Sequence, residues 1–121
     1  MADAAQAKEL FAAAEAGTFV LTEAAAHECA AHFAWYADRL HAFQEQIRAQ
    51  ARLSGFGGFE SAQELQAGFE AKANQGFDAF VQAEYVARSM VAAVLRAAGL
   101  LAEVDAANAA AQRVLEGKVD A

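Results

Sequence analysis

The sequence predicts an all-α chain. Ala occupies 36 of 121 positions and Pro none, which pairs the strongest helix former with the absence of the strongest helix breaker. Apolar residues recur at spacings of three and four over long stretches, and Gly appears only at a few punctuating positions. A sandwich or barrel would need β-branched runs and turn residues at short intervals, and neither is present. The length fits one domain. The sequence predicts an antiparallel two-helix hairpin with a short N-terminal helix, assembling as a four-helix bundle dimer.

Residues 1–17 read as the short N-terminal helix. Asp3 stands as N-cap with Gln6 three residues on, and Gly17 sits where helices end in the left-handed conformation. Only Leu10 and Phe11 are large apolar anchors in this segment, so it is expected to be marginal or docked.

Residues 18–54 form the first long helix, starting at Thr18 or Thr22. Ala26, Cys29, Phe33, Tyr36, Leu40, Phe43 and Ile47 follow at spacings of 3, 4, 3, 4, 3 and 4, the repeat of a helix packing along a narrow seam. Arg48 and Arg52 sit in the last turns, where cations favour the helix dipole, with Gly55 as the residue past the cap.

Residues 55–60 form the turn, Gly55-Phe56-Gly57-Gly58-Phe59-Glu60. The second long helix, 61–102, opens on Ser61-Ala62-Gln63-Glu64, a capping-box pattern. Its seam can be followed through Phe69, Ala73, Gly76, Phe80, Ala83, Ala87, Met90, Val94, Ala97, Leu101 and Val104, with a stop or bend expected near Gly99. A second stripe, Phe77, Val81, Val91 and Leu95, lies beside it, interrupted by Glu84 and Arg88. One partner helix cannot cover both. Residues 103–121, with few large side chains, are expected to be weakly ordered or a separate short helix.

That second stripe and Trp35, which lies off the first seam, are assigned to a further packing surface. The residues expected at seams and contacts are Phe33, Trp35, Tyr36, Leu40, Phe43, Phe77, Phe80, Val81, Met90, Val91, Val94 and Leu95. Phe33, Tyr36, Phe43, Phe69 and Phe80 are expected in the core. The further surface is read as intermolecular, because Leu10 and Phe11 are too few to cover it; the N-terminal helix is the intramolecular alternative.

Charge and reactive residues exclude several classes. A formal charge of -7 lacks the basic footprint that phosphate backbones require, so no nucleic-acid partner is expected. No apolar run is long enough for a membrane span, and Met1-Ala2-Asp3 begins no Sec-type leader. The single Cys29 forms no internal disulfide and reads as a small hydrophobe on the seam. His27 and His32 are five residues apart, about 140° around a helix, too far for a zinc pair. Glu23 with His27, Glu28 with His32, and Asp38 with His41 have ligand-like spacings but read as solvated helix-face pairs. No catalytic, cofactor or metal residue is assigned, and the chain is read as a non-enzymatic protein.

The triplet Phe56-Gly57-Gly58, between two long amphipathic helices, resembles the Trp-x-Gly motif of the small helical-hairpin proteins exported by type VII (ESX) secretion systems of actinobacteria, with Phe in the Trp position. Gly55 to Ser61 followed by Leu65 and Phe69 is similar to actinobacterial relatives of that group. The resemblance covers about residues 18–102. It implies a secreted, Sec-independent interaction protein whose partner is itself, a paralogous member of the group, or the secretion machinery. Exported members usually carry Tyr-x-x-x-Asp/Glu after the second helix; here no Tyr follows Tyr85, which is itself followed four residues on by Ser89. The chain is then either the member that travels with a signal-bearing partner or a non-exported relative. A cytoplasmic helical adaptor or chaperone for a neighbouring effector is the alternative function, and a helical-bundle metal protein with a carboxylate–His centre is the third.

Overall fold

The computed structural model describes residues 3–120, with side chains through Gly117; Met1, Ala2 and Ala121, at the ends of the expected segments, lie outside the described residues. Four α-helices run in the order α1 (Ala4–Ala16), α2 (Glu23–Arg48), α3 (Glu60–Ala97) and α4 (Leu101–Asp120), with a short 3-10 turn, Ala49–Ala51, after α2. There is no strand among the described residues.

Local chemistry explains most boundaries. Asp3 and Gln6 form a reciprocal capping box at the start of α1, with the Gln6 N–H donating to Asp3 Oδ1 at 2.9 Å and the Asp3 N–H donating to Gln6 Oε1 at 3.1 Å. Gly17, at φ 79°, closes the helix in the left-handed conformation. Thr22 caps α2 by accepting the Ala25 N–H at 3.1 Å. Gly99, at φ 72°, separates α3 from α4, with the Leu100 N–H reaching back to the Leu95 carbonyl at 3.2 Å.

Two expected boundaries differ. Helix α2 ends at Arg48 on an αR residue, Ala49, and tightens into the 3-10 turn, so Gly55 is not its terminating residue. Gly55 instead takes φ 88° within the connection to α3, as Gly57 does at 96°. Helix α3 begins at Glu60 with extended Phe59 as N-cap and no side-chain cap. Ser61 is therefore already helical, and the Ser61–Glu64 capping box does not form. The Glu60 carboxylate in the first turn supplies the favourable dipole interaction in its place.

Helix α3, about 57 Å long at about 1.5 Å per residue, is the element on which the other three pack. Helix α2 runs antiparallel to it: His41 meets Glu84, Gln44 meets Phe80, and Ile47 lies against Gly76. Helix α4 folds back along a different side. The carboxyl half of α3 carries its buried residues, from Val81 to Ala97. Ala92, Ala93, Val94 and Leu95 are all buried, and four consecutive positions pass right round a helix of 3.6 residues per turn. Here α3 is enclosed on every side. Val94, Leu95, Ala30 and Val104 form a cluster joined by Phe11, Phe19, Leu21, Phe33 and Val91, so all four helices meet in one core.

Val81 and Leu95 of the second stripe of α3 are thus buried within the chain, with Phe77 and Val91 half-buried beside them. Leu95 is 5% exposed in the cluster that joins all four helices, and Val81 is 2% exposed; neither is open for another protomer. Leu40 and Val94, also expected at contacts, are buried too. Of the two alternatives for residues beyond 103, the separate helix is the one present, and Val104 and Ala111 bury against α3. Small side chains serve as anchors where helices approach closely.

The seam of α2 differs in phase. Its buried residues are Ala26, Ala30, Ala37, Leu40 and Gln44, so the spacing runs 4-3 where the larger side chains suggested 3-4. Ala30 and Ala37 let α3 approach, and the bulkier Tyr36 and Phe43 lie at the rim, exposed. Phe43 still touches Phe80, with ring centroids 5.7 Å apart. Phe69, expected in the core, is exposed because α3 extends past the end of α2 there, and the Phe56 ring of the connecting loop leans on it with centroids 6.1 Å apart.

The glycine conformations yield a paired prediction. Gly99→Ala places a Cβ in open space but at positive φ, and is expected to cost about 1 kcal/mol. Gly68→Ala, in a helix interior with equal room, is expected to stabilise by about 0.5–1 kcal/mol. Urea unfolding midpoints of the two variants measure both signs.

Candidate functional sites

The most constrained polar site is built around Glu84. This carboxylate sits mid-helix on α3 and is 2% exposed, a placement that requires hydrogen-bond partners. Three side chains supply them. Gln44 Nε2 donates to Glu84 Oε1 at 2.8 Å, His41 Nδ1 lies 3.1 Å from the same oxygen, and Arg88 Nε donates to Glu84 Oε2 at 2.7 Å. Gln44 also donates to the Phe80 carbonyl at 3.2 Å, and the Arg88 guanidinium reaches Asp38 Oδ1 at 3.1 Å. Partial burial acts to lower the pKa of Arg88, but its hydrogen bonds and charge attraction to Glu84 and Asp38 outweigh this and hold it above its ordinary value. The guanidinium stays charged at every working pH.

Beside this network, α2, α3 and α4 leave a groove of about 380 Å³ lined by His41, Arg48, Phe77, Val81, Glu84 and Arg113 among others. Arg48 lies over the Phe77 ring at 5.1 Å from its centroid. The groove is mixed in charge, with both acidic and basic walls.

A different site lies on the outer face of α2. Trp35 is 65% exposed and Tyr36 47%. Arg39 stands between Trp35 and Phe43, with its guanidinium 5.6 and 5.8 Å from the two ring centroids. These four residues occupy one helical face, since positions three and four apart are neighbours. At the far end of the molecule Phe59, Leu65 and Phe69 are exposed around the connecting loop, whose Leu53 N–H donates to Glu70 Oε2 at 3.2 Å.

The residues expected at contacts therefore separate into three sets. Trp35, Tyr36 and Phe43 lie together on the outside of α2; Leu40, Val81, Val94 and Leu95 are buried; Phe33, Phe77, Phe80, Met90 and Val91 are half-buried. Trp35 and Phe77 do not share a surface, since Phe77 lies under Arg48 in the groove. In the turn, Phe56 is half-buried against Phe69, while Gly55, Gly57, Gly58 and Phe59 are exposed.

The acid–His pairs expected along α2 are replaced by pairs between helices. His27 Nε2 lies 2.9 Å from Glu103 on α4, His41 pairs with Glu84, and Asp38 pairs with Arg88. Among the described residues no three His, Cys, Asp or Glu side chains converge as a metal-binding group. The Glu84 network was not anticipated from the sequence, where Glu84 and Arg88 registered only as interruptions of an apolar stripe. Their spacing of four, together with Gln44 on the buried line of α2, is the signal that could have located it.

Removing one partner of a buried charge is far costlier than removing both. Arg88→Met is expected to destabilise by about 3 kcal/mol, and combining it with Glu84→Leu to recover most of that loss. Chemical denaturation of the single and double variants measures the coupling.

Comparison of the chain with family models, with curated proteins and with solved structures finds no match.

Proposed function

We propose that the chain is a non-enzymatic protein-interaction module, a type VII secretion substrate or cosecreted partner of the Trp-x-Gly hairpin kind, that docks a helical partner along the outer face of α2. The observation that carries this reading is the exposed strip Trp35, Tyr36, Arg39 and Phe43. Trp, Tyr and Arg are the side chains most enriched among residues that dominate binding energy. They offer large apolar area with a polar edge, and Arg39 is held over two rings before any partner arrives. A helix laid beside α2 would desolvate the strip and complete the packing that α3 provides on the opposite face.

The antiparallel α2–α3 pair and the loop carrying Phe56-Gly57-Gly58 support the secretion reading, as does the resemblance of that segment to the type VII hairpin proteins. No helix among the described residues is long and apolar enough to cross a membrane. In this reading the partner is a paralogous hairpin protein or a second copy of this chain. The dimer that results is joined through α2 rather than through Val81 and Leu95, which the chain buries itself.

Trp35→Ala is expected to weaken association by about 2 kcal/mol, roughly thirtyfold, with the melting transition of the free chain little changed because the ring is solvent-facing. Light scattering or sedimentation of the variant against the parent chain, alone and with the product of the adjacent gene, reads this out; unchanged association contradicts the docking face. Export is tested separately, by finding the protein in culture filtrate and losing it when the secretion ATPase is disabled. Retention in the cell under both conditions favours the cytoplasmic adaptor.

A further inference from the structure

On a side of α3 to which α2 contributes nothing, α1, α3 and α4 line an open cleft of about 480 Å³ whose walls are Ala4, Ala5, Ala7, Lys8, Phe11, Tyr85, Ser89 and Asn108, with Lys8 and Asn108 exposed at its mouth. Tyr85 and Ser89, four residues apart on α3, share one helical face. Lys8 comes from α1 and Asn108 from α4. Together they bring an ammonium, two hydroxyls and a carboxamide to one place, and each of these groups can donate a hydrogen bond. None of the four side chains is hydrogen-bonded or ion-paired to another described residue. No Asp or Glu lines the cleft, in a chain whose formal charge is -7. The remaining wall, Phe11 and three Ala, is apolar.

We propose that this cleft binds a small organic oxyanion, a carboxylate or phosphate head on a compact apolar body. The head is set by the donors: one cation and three neutral donors, unopposed by a lining acid, match an acceptor-only group carrying negative charge. The body is set by the Phe11 ring and the alanines, and the cleft volume falls in the range of small-molecule sites. Lys8 supplies the charge, Tyr85 and Ser89 orient the oxygens from α3, and Asn108 adds a donor from α4. Helices α1 and α4 both pack on α3, so a ligand held by Lys8 and Asn108 ties the two together across the cleft and stabilises the fold by mass action.

The full chain is titrated with benzoate, phenyl phosphate and inorganic phosphate at constant ionic strength, following amide chemical shifts and the melting temperature. Saturable shifts at residues of α1, 85–89 of α3 and 108 of α4, with a rise in melting temperature for benzoate or phenyl phosphate, are expected; the tighter of the two assigns the head group. Lys8→Met and Tyr85→Phe, both conservative in volume at positions that are not fully buried, should each weaken binding about tenfold. Absence of saturable shifts with either organic anion, or affinities that the two variants leave unchanged, overturns the site. Equal affinity for inorganic phosphate and phenyl phosphate overturns the assignment of an apolar body.

Discussion

The structure depends on enclosing the carboxyl half of α3. From Val81 to Ala97 this helix presents apolar side chains on more than one face, and at Ala92–Leu95 it is buried all round. A helix in that state needs neighbours on every side. Helix α2 alone covers one face. Helices α1 and α4, short and poor in large side chains, cover the others, and the loop before α2 is fastened to the end of α3 by the Leu21 N–H donating to the Ala97 carbonyl at 3.1 Å. The abundance of Ala follows from this geometry. Ala26, Ala37, Ala93 and Ala111 are almost wholly buried at helix contacts, where a larger side chain would hold the axes apart.

The amino half of α3 is built differently. No residue of α3 before Val81 is buried, and Phe59, Leu65 and Phe69 face solvent around the loop. One chain thus has a four-helix end, where the core is complete, and an end where α3 runs on past α2 beside the connecting loop and aromatic side chains remain uncovered. Between them lies the Glu84 network. A carboxylate with side-chain donors at Gln44, His41 and Arg88 is satisfied in one alignment of α2 against α3, and a slip by a turn would strand it. The network therefore selects register more than it adds stability, in line with the small net value of buried ion pairs. The outer strip of α2 follows from that register, because seating Ala37, Leu40 and Gln44 against α3 turns Trp35, Tyr36 and Arg39 outward.

Much of this was legible in the sequence, for local reasons. The Asp3–Gln6 box, Gly17 and Gly99 act within a few residues of themselves, so their chemistry can be read without a fold, and the same local rule narrows the start of α2 to Thr18 or Thr22. The Ser61–Glu64 box satisfied the same local rule and still failed, since Phe59 and Glu60 start the helix earlier. What was not legible depends on distant partners. The 3-4 spacing of Phe33, Tyr36, Leu40 and Phe43 weights size, whereas the buried line is chosen by closeness of approach and falls on Ala30 and Ala37. Helix α4 looked unanchored because Ala107 and Ala111 carry no size signal. His27 and His41 found their acids on other helices, at Glu103 and Glu84, which spacing within α2 cannot reveal. The cleft residues Lys8, Tyr85, Ser89 and Asn108 come from three helices and share no motif.

Hydrogen exchange followed residue by residue tests the central claim that one enclosed half-helix organises the chain. The account predicts the slowest amide exchange in α3 between about Glu84 and Ala97, comparable protection in the facing turns of α2 and in α4 around Val104 to Ala111, and much faster exchange from Ser61 to Gly76. Uniform protection along the whole of α3, or unprotected amides throughout α4, would contradict it.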